Sequence, residues 1–357
     1  MQWRARATPY WSVRGGRPRA ASRRPNSSKS YGNAIAANLV LKEIAPNAYA
    51  REVLPLTFAL WAGRRSMDLY VEQTLEIARG AYGRRHYRTL GLYDGRSLVA
   101  SCKRYERRLY FGATSVDAIG FGAVYTPSGL RGRGYASVML AAELDRARAA
   151  GVAAAYLFSD IRPEFYATLG FSTLPSRDFT LRADALPAQR LRPSPLRDAD
   201  WDAVRRCFDA TEARRAAGFV RDRSAWSWIR MRMRHGSEVS TGHIYNLVAR
   251  RGRSVSAYVL GTRAPERDAY ILDEFGFADD AGAAAVPSLL RAAAGDLRRI
   301  TGWVPPSALR TVLPHAPARK RDRSILMIAP LLPAGRELLE TIAARERGNF
   351  GWPTEHI

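Results

Sequence analysis

The residues best arranged for chemistry are Arg131-Gly132-Arg133-Gly134-Tyr135-Ala136. They follow an apolar run, Ile119 to Tyr125, that Thr126-Pro127 stops, since proline cannot continue a strand ladder. They open a helical pattern that closes at Gly151. Such a turn between strand and helix aims several backbone N–H groups at one point, at the positive end of the helix dipole. It therefore makes a nest for phosphate oxygens. Gly132 and Gly134 carry no Cβ, which lets a pyrophosphate come close to the main chain. Two other phosphate loops are excluded, because the chain here has neither G-x-x-x-x-G-K-[ST] nor a G-x-G-x-x-G with an acidic residue at the dinucleotide distance. A basic surface turn that happens to contain glycines would read the same in isolation.

The elements around the turn narrow its meaning. From Asp117 to Phe171 the pattern is strand, turn, helix, strand, helix. Ala136, Leu140, Leu144 and Ala147 share one side of the first helix, with Asp145 and Arg148 facing away and Glu143 intruding on the apolar side. A second strand, Ala153 to Phe158, precedes Pro163-Glu164-Phe165-Tyr166-Ala167-Thr168-Leu169-Gly170-Phe171. Arg131-x-x-Gly134-x-Ala136, with these elements in this order, resembles the signature of the GCN5-related N-acetyltransferases (GNAT). The resemblance runs from about Leu54 to Leu181.

That resemblance implies an α/β (α+β) GNAT fold, a mixed central sheet flanked by helices, with acetyl-CoA as co-substrate and an amine as acceptor. Arg131, Gly132, Arg133, Gly134, Tyr135 and Ala136 would cradle the pyrophosphate. Ala123, Val124 and Tyr125 would pair with the pantetheine amides like an added strand, and a backbone N–H near Val124 and Tyr125 would polarise the thioester carbonyl. Gly120 and Gly122 permit a bulge nearby. Ser159 and Asp160 fit cofactor-contacting positions at the mouth of the next strand. Tyr166 matches the family's tyrosine. A phenol with a pKa near 10 keeps its proton at neutral pH and can release it to a strongly basic thiolate, although a core tyrosine would occupy the same position. The base is open between Glu106, Asp117, Asp160 and His86. A further option is the terminal carboxylate of Ile357, by partial resemblance to multi-domain acetyltransferases of the Eis type.

The whole chain has 357 residues, enough for two domains, and its 46% hydrophobic content supports sizeable cores. No stretch approaches the ~18 uncharged apolar residues of a membrane span. Cys102 and Cys207 have neither metal-ligand nor disulfide-framework spacing, so no metal is expected and a reducing, cytoplasmic location is. The net charge of +23 suggests nucleic acid. However, the cations are almost all arginines spread along the chain, with lysine only at positions 29, 42, 103 and 320. A basic solvated surface with weak, non-specific polyanion binding fits this better than a dedicated interface. Oligomeric state is not encoded in any motif.

Residues 1–30 hold eight cations and no acid, and read as a disordered basic arm. It would be a transit peptide, a polyanion-binding arm or a stretch upstream of the true start; the last two are preferred, as no amphipathic helix is visible. Residues 31–182 form the expected catalytic unit. It includes helices from Leu54, a hairpin of Tyr87–Tyr93 and Leu98–Tyr105 across Asp94-Gly95-Arg96-Ser97, and Phe179-Thr180-Leu181 as its last strand. Residues 183–197 read as a linker. Residues 198–357 contain helices at Asp200–Ala217 and Arg223–Arg234, and strands at Ile244–Ala249, Val255–Gly261 and Ala269–Phe277. A helix over Val286–Ile300 and a final strand at Ser324–Pro330 follow. This order suggests a second, degenerate copy of the fold. In place of a phosphate turn it has Ala278-Asp279-Asp280-Ala281-Gly282, whose carboxylates would repel a pyrophosphate. The competing functions are a non-catalytic tandem protein that binds nucleic acid or an acidic partner, and an aminoacyl-tRNA-dependent transferase.

Overall fold

A computed structural model describes residues 38–160, 162–188, 193–239, 242–313, 317–346 and 349–357. The basic arm of residues 1–30 lies outside them. The chain opens with β1 (Leu39–Glu43) and the helices α1 (Pro46–Glu52), α2 (Leu54–Trp61), α3 (Met67–Arg79) and α4 (Ala81–His86). Next come β2 (Tyr87–Asp94) and β3 (Ser97–Phe111), joined by the expected tight turn, in which Gly95 takes the positive φ of 57° that such turns require. The remainder of the first half is β4 (Thr114–Tyr125), α5 (Tyr135–Ala149), β5 (Ala154–Ser159), α6 (Pro163–Ala167), β6 (Ser172–Thr173) and β7 (Arg177–Arg182).

The second half starts with β8 (Ser194–Pro195), α7 (Trp201–Glu212), β9 (Ala217–Val220) and α8 (Arg223–Val239). It continues with β10 (His243–Ile244), β11 (Leu247–Arg251), β12 (Ser254–Ala264), β13 (Ala269–Phe277) and α9 (Asp280–Ala294). It closes with β14 (Arg299–Trp303), β15 (Ala318–Lys320), β16 (Ile325–Pro330) and α10 (Pro333–Arg345).

These strands form two sheets of matching order. The first runs β1-β2-β3-β4-β5-β16-β6, with β9 added to β3; the second runs β8-β11-β12-β13-β14-β7-β15, with β10 added to β12. Each sheet has one parallel pair, β4/β5 or β13/β14, bridged by a helix, α5 or α9. The neighbouring pairs are antiparallel. The second half is therefore a second copy of the first fold, as the element order suggested.

The expected boundary at residue 182 does not separate the sheets. Phe179-Thr180-Leu181, read as the last strand of the first unit, lies in β7, which pairs with β14 in the second sheet. Its place beside β5 is taken by β16 from near the end of the chain. The exchange is reciprocal, and each half completes the other's sheet. The reason is visible locally. β6 is only two residues long and packs on β16, and Leu174 N–H donates to Leu326 O, so the chain leaves the first sheet soon after β6. The segment read as a linker includes β8, which pairs with β11.

One core lies between α5 and the first sheet, with Met139, Leu140, Leu144, Ile119, Phe121 and Leu157 buried together. Each such side chain contributes about 1.5–3 kcal/mol by leaving water. The intruding Glu143 is accounted for: it is buried and accepts from Arg146 at 2.8 Å, with Arg104 at 3.6 Å. A second core joins the second sheet to α7 and α9, and Trp352 packs into it.

Candidate active site

The site starts from a break in β4. Strands β4 and β5 pair only from Ala118 to Phe121 against Ala154 to Leu157, although both run further, so the two strands part beyond that point. On the other side, Ser101 pairs with Tyr125 and Lys103 with Gly122, leaving Ala123 and Val124 opposite Cys102 alone. This is a β-bulge. Ala123 sits at φ 49°, an unusual conformation for a residue with a Cβ, held by the strands on either side. The bulge expected near Gly120 and Gly122 is present, and together with the parting of the strands it sets Ala123, Val124 and Tyr125 beside the gap.

The glycine turn follows. Gly132 and Gly134 take φ values of 78° and 83°, and a Cβ at either would meet nothing within 4 Å. Their glycines are thus required by backbone conformation, with open space in front of the turn. Helix α5 begins at Tyr135 with no side-chain cap and no acidic residue in its first turn. Its first N–H groups are left for an external acceptor. Arg131 and Arg133 are exposed, and Arg131 Nε donates to Thr126 O at 3.2 Å, bracing the turn. Tyr135 and Ala136 are half-buried at the helix start. These features fit a pyrophosphate group.

The corresponding place in the second half is filled by the protein itself. Asp279 caps α9, accepting from Gly282 N–H at 2.8 Å, and is paired with Arg251. Its carboxylate occupies the helix terminus where a phosphate would otherwise sit.

Tyr166, on α6, packs edge-on against Phe165 and Phe171 and belongs with Val124, Leu130 and Tyr135 to the fringe of one core. No hydrogen-bond partner holds its hydroxyl among the described residues. Burial pushes its pKa up to about 12, with small additional repulsion from Cys102 and Asp160. The Asp160 carboxylate accepts from Ser324 N–H at 3.0 Å and Ser324 Oγ at 3.2 Å, tying the end of β5 to the start of the exchanged strand. Ser159 is buried beside it.

Of the proposed bases, Asp117 is exposed near Arg108 and stands six residues from the bulge, about 20 Å at strand rise. Glu106 lies 2.9 Å from Arg104 and 3.6 Å from His86 Nδ1, opposite Ile119 and well before the splay. Ile357 reaches the gap instead. Its main-chain carbon stands 3.2 Å from where a Cβ on Gly122 would be, and its Cδ1 2.4 Å from the equivalent point on Gly120.

A buried ion network delivers residues 353–357 there. Glu355 bridges the halves, accepting from Arg107 on β3 at 2.5 Å and from Arg221 Nε at 2.6 Å. Arg221 also donates to Glu274 on β13, which accepts from Tyr258 and Thr354 as well. Helix α8 lies alongside: Trp228 packs on Tyr105 at 5.8 Å, and Arg232 stacks over Trp228 and donates to His356 O.

Residues 64–174, spanning the splay, the nest and α6, match the family model described as an acetyltransferase (GNAT) domain. That stretch is similar to GCN5-related N-acetyltransferase domains. Solved structures extend the likeness in fold across both halves. A GCN5-related N-acetyltransferase from Kribbella flavida is 18% identical with a TM-score of 0.61, over 86% of this chain and 74% of that one. A probable N-acyltransferase from Enterococcus faecalis is 14% identical with a TM-score of 0.66, over 85% and 75%. Eis1 from Mycobacterium abscessus is 13% identical with a TM-score of 0.56, over 86% and 76%. Comparison with curated protein sequences gives no match. The solved structures show the fold, and the match to the family model supports acyl transfer in general terms. No helix among the described residues is long and apolar enough to cross a membrane.

Residues 64–174 hold every sequence-selected site residue except Ile357, but their open face is completed by residues that sequence reasoning passed over: Lys103, Arg107, Arg232, Asp273 and Glu355. Lysine's rarity was one available signal, since Lys103 is a lysine within a strand of an arginine-dominated chain. Burial drives its pKa down to about 8, aided by Arg65 and Arg232. Asp273 is the extra residue of a bulge where β13 departs from β14, the counterpart of the β4 bulge. Burial raises its carboxyl to about 7, with Glu274 adding repulsion and Arg232 opposing.

Proposed function

We propose that this protein transfers an acetyl group from acetyl-CoA directly to a primary amine, using the first half alone for the co-substrate. The observation that carries this reading is the contrast between two equivalent helix starts. That of α5 is uncapped behind two glycines of positive φ, whereas that of α9 is stoppered by Asp279. Arg131 to Ala136 hold the pyrophosphate, and the main chain of Ala123 to Tyr125 takes the pantetheine and the thioester oxygen in the β4/β5 gap. The amine nitrogen forms the new C–N bond as the C–S bond breaks. The amine gives up a proton to solvent, the departing sulfur receives one from Tyr166, whose burial keeps it protonated until a thiolate appears, and the phenolate regains a proton from solvent.

Titration of CoA into the full chain tests this. One site per chain is expected, lost in Gly134→Asp, whose carboxylate fills the nest and repels phosphate. Two equivalent sites, or undiminished binding by the variant, would overturn the assignment.

A further inference from the structure

We propose that the acceptor carries an anionic group, a carboxylate or a phosphate, beside its amine, and that Lys103 and Arg232 hold that group. The proposal rests on the acyl-transfer reading above and names its acceptor class.

The face of β3 and β4 turned away from α5 carries Ser101, Lys103 and Tyr105 by strand alternation, with side-chain-free Gly122 opposite Lys103. Helix α8 faces it with Trp228 and Arg232, and the residues up to Ile357 border it. The polar groups here are overwhelmingly donors. Lys103 is half-buried, and among the described residues it makes no ion pair or hydrogen bond. Arg232 donates to the His356 carbonyl and stacks on Trp228, with no carboxylate in ion-pair contact among the described residues. Ser101 Oγ and Trp228 Nε1 are buried with no partner in the protein. Lysine, arginine and indole nitrogens can only donate, so the group that satisfies them must be rich in acceptors.

Charge points the same way. Arg65 adds to the positive field, although its own donors are taken by Trp61 O, Ala62 O and Gln73. Asp273 is a carboxyl from the second sheet that interacts with Arg232, and burial raises its pKa to about 7, so it offsets the positive field only in part. Burial is the main cause of the depressed Lys103 pKa, and Arg65 and Arg232 lower it further, so an incoming anion would oppose the shift. A polycationic amine would add to the repulsion.

The test uses the full chain loaded with CoA or acetyl-CoA and matched amines: β-alanine, O-phosphoethanolamine, propylamine, ethanolamine and spermidine. Calorimetry gives affinity, and thiol release gives kcat/KM. At least one anionic amine should exceed its neutral match by about 10- to 100-fold, the usual worth of a charge-assisted contact. Comparing β-alanine with O-phosphoethanolamine separates carboxylate from phosphate. In Lys103→Met that ratio should collapse towards one, and Lys103→Arg should restore most of it.

Preference for propylamine or spermidine would overturn the proposal while leaving acyl transfer standing. An equal fall for every amine in Lys103→Met would also overturn it, showing that Lys103 serves Ile357 instead. Anion-selective binding with no turnover for any amine would sustain the recess as an anion site and refute the transferase reading.

Discussion

Replacing Glu355 with glutamine isolates the bridge between the halves. Glu355 and Arg107 are each 1% exposed, and Glu355 is the only carboxylate that Arg107 meets among the described residues. Arg221, by contrast, keeps Glu274. The substitution preserves volume and one acceptor, but leaves the Arg107 charge buried without compensation. Breaking such a pair costs about 3–5 kcal/mol, and the surviving amide contact argues for the lower end. At roughly 2–4 °C per kcal/mol, the melting temperature should fall by about 6–12 °C. Urea and thermal unfolding followed by tryptophan fluorescence would read this, with exposed Glu337→Gln as a control expected within ±0.5 kcal/mol. Burial works to raise the Glu355 pKa, but Arg107 and then Arg221 outweigh it and the net shift is downward. Its stabilisation is thus complete above the unfolded glutamate value, near 4.3, and lost as pH falls through the lower native value. The gap between wild type and variant should close below about pH 4. A loss under ~1 kcal/mol, or Arg107→Met and Glu355→Gln adding without coupling, would refute the reasoning.

Tyr166→Phe should retain its melting temperature and CoA affinity while turnover drops by roughly 10²–10⁴-fold; full activity per folded molecule would remove Tyr166 from proton delivery. Because the native Asp273 pKa is raised to about 7, the folded state holds this proton more tightly than the unfolded chain. Its effect on stability therefore becomes less favourable as pH rises from about 4 to 7, and Asp273→Asn should flatten that part of the pH–stability curve. A fragment ending at residue 182 should be insoluble or poorly folded, since it lacks β16 and leaves the edge of β5 unpaired; a stable, CoA-binding monomer from that fragment would contradict the exchange.

Local signals were legible wherever local chemistry decided the structure. Asp94-Gly95 announced its turn, Thr126-Pro127 the end of β4, and the glycines at 132 and 134 a backbone that only they adopt readily. Errors fell where distant partners decide. The helix read over Val286–Ile300 in fact spans Asp280–Ala294 and stops at Gly295, whose φ is 60°; the apolar residues after it are drawn into β14 by pairing with β13 and β7. The helix read over Asp200–Ala217 in fact ends at Glu212, and Ala217 opens a strand that pairs with β3, more than a hundred residues earlier. Composition misjudged the arginines as well. Arg107, Arg215 and Arg221 have the same letter as the solvated ones, yet they are buried against Glu355, Glu212 and Glu274. A charge count carries no information about which cations find carboxylates across a sheet.

The reciprocal exchange of β7 and β16 explains why a half without a phosphate nest persists as a full copy of the fold. Without it the first sheet ends at β5, and with it the chain beyond α10 is delivered to the β4/β5 gap. Glu355 then fixes that delivery from both sides, through Arg107 of the first sheet and Arg221, which is anchored to Glu274 of the second. Both sheets carry a bulge at the point where their parallel strands part, but only one opens onto an uncapped helix. On the reading proposed here, the first bulge serves the thioester, while the second, with Asp273 and the neighbouring Arg232, is turned to the acceptor. The two halves would then divide the two substrates between them, the acetyl donor on one and part of the amine's recess on the other.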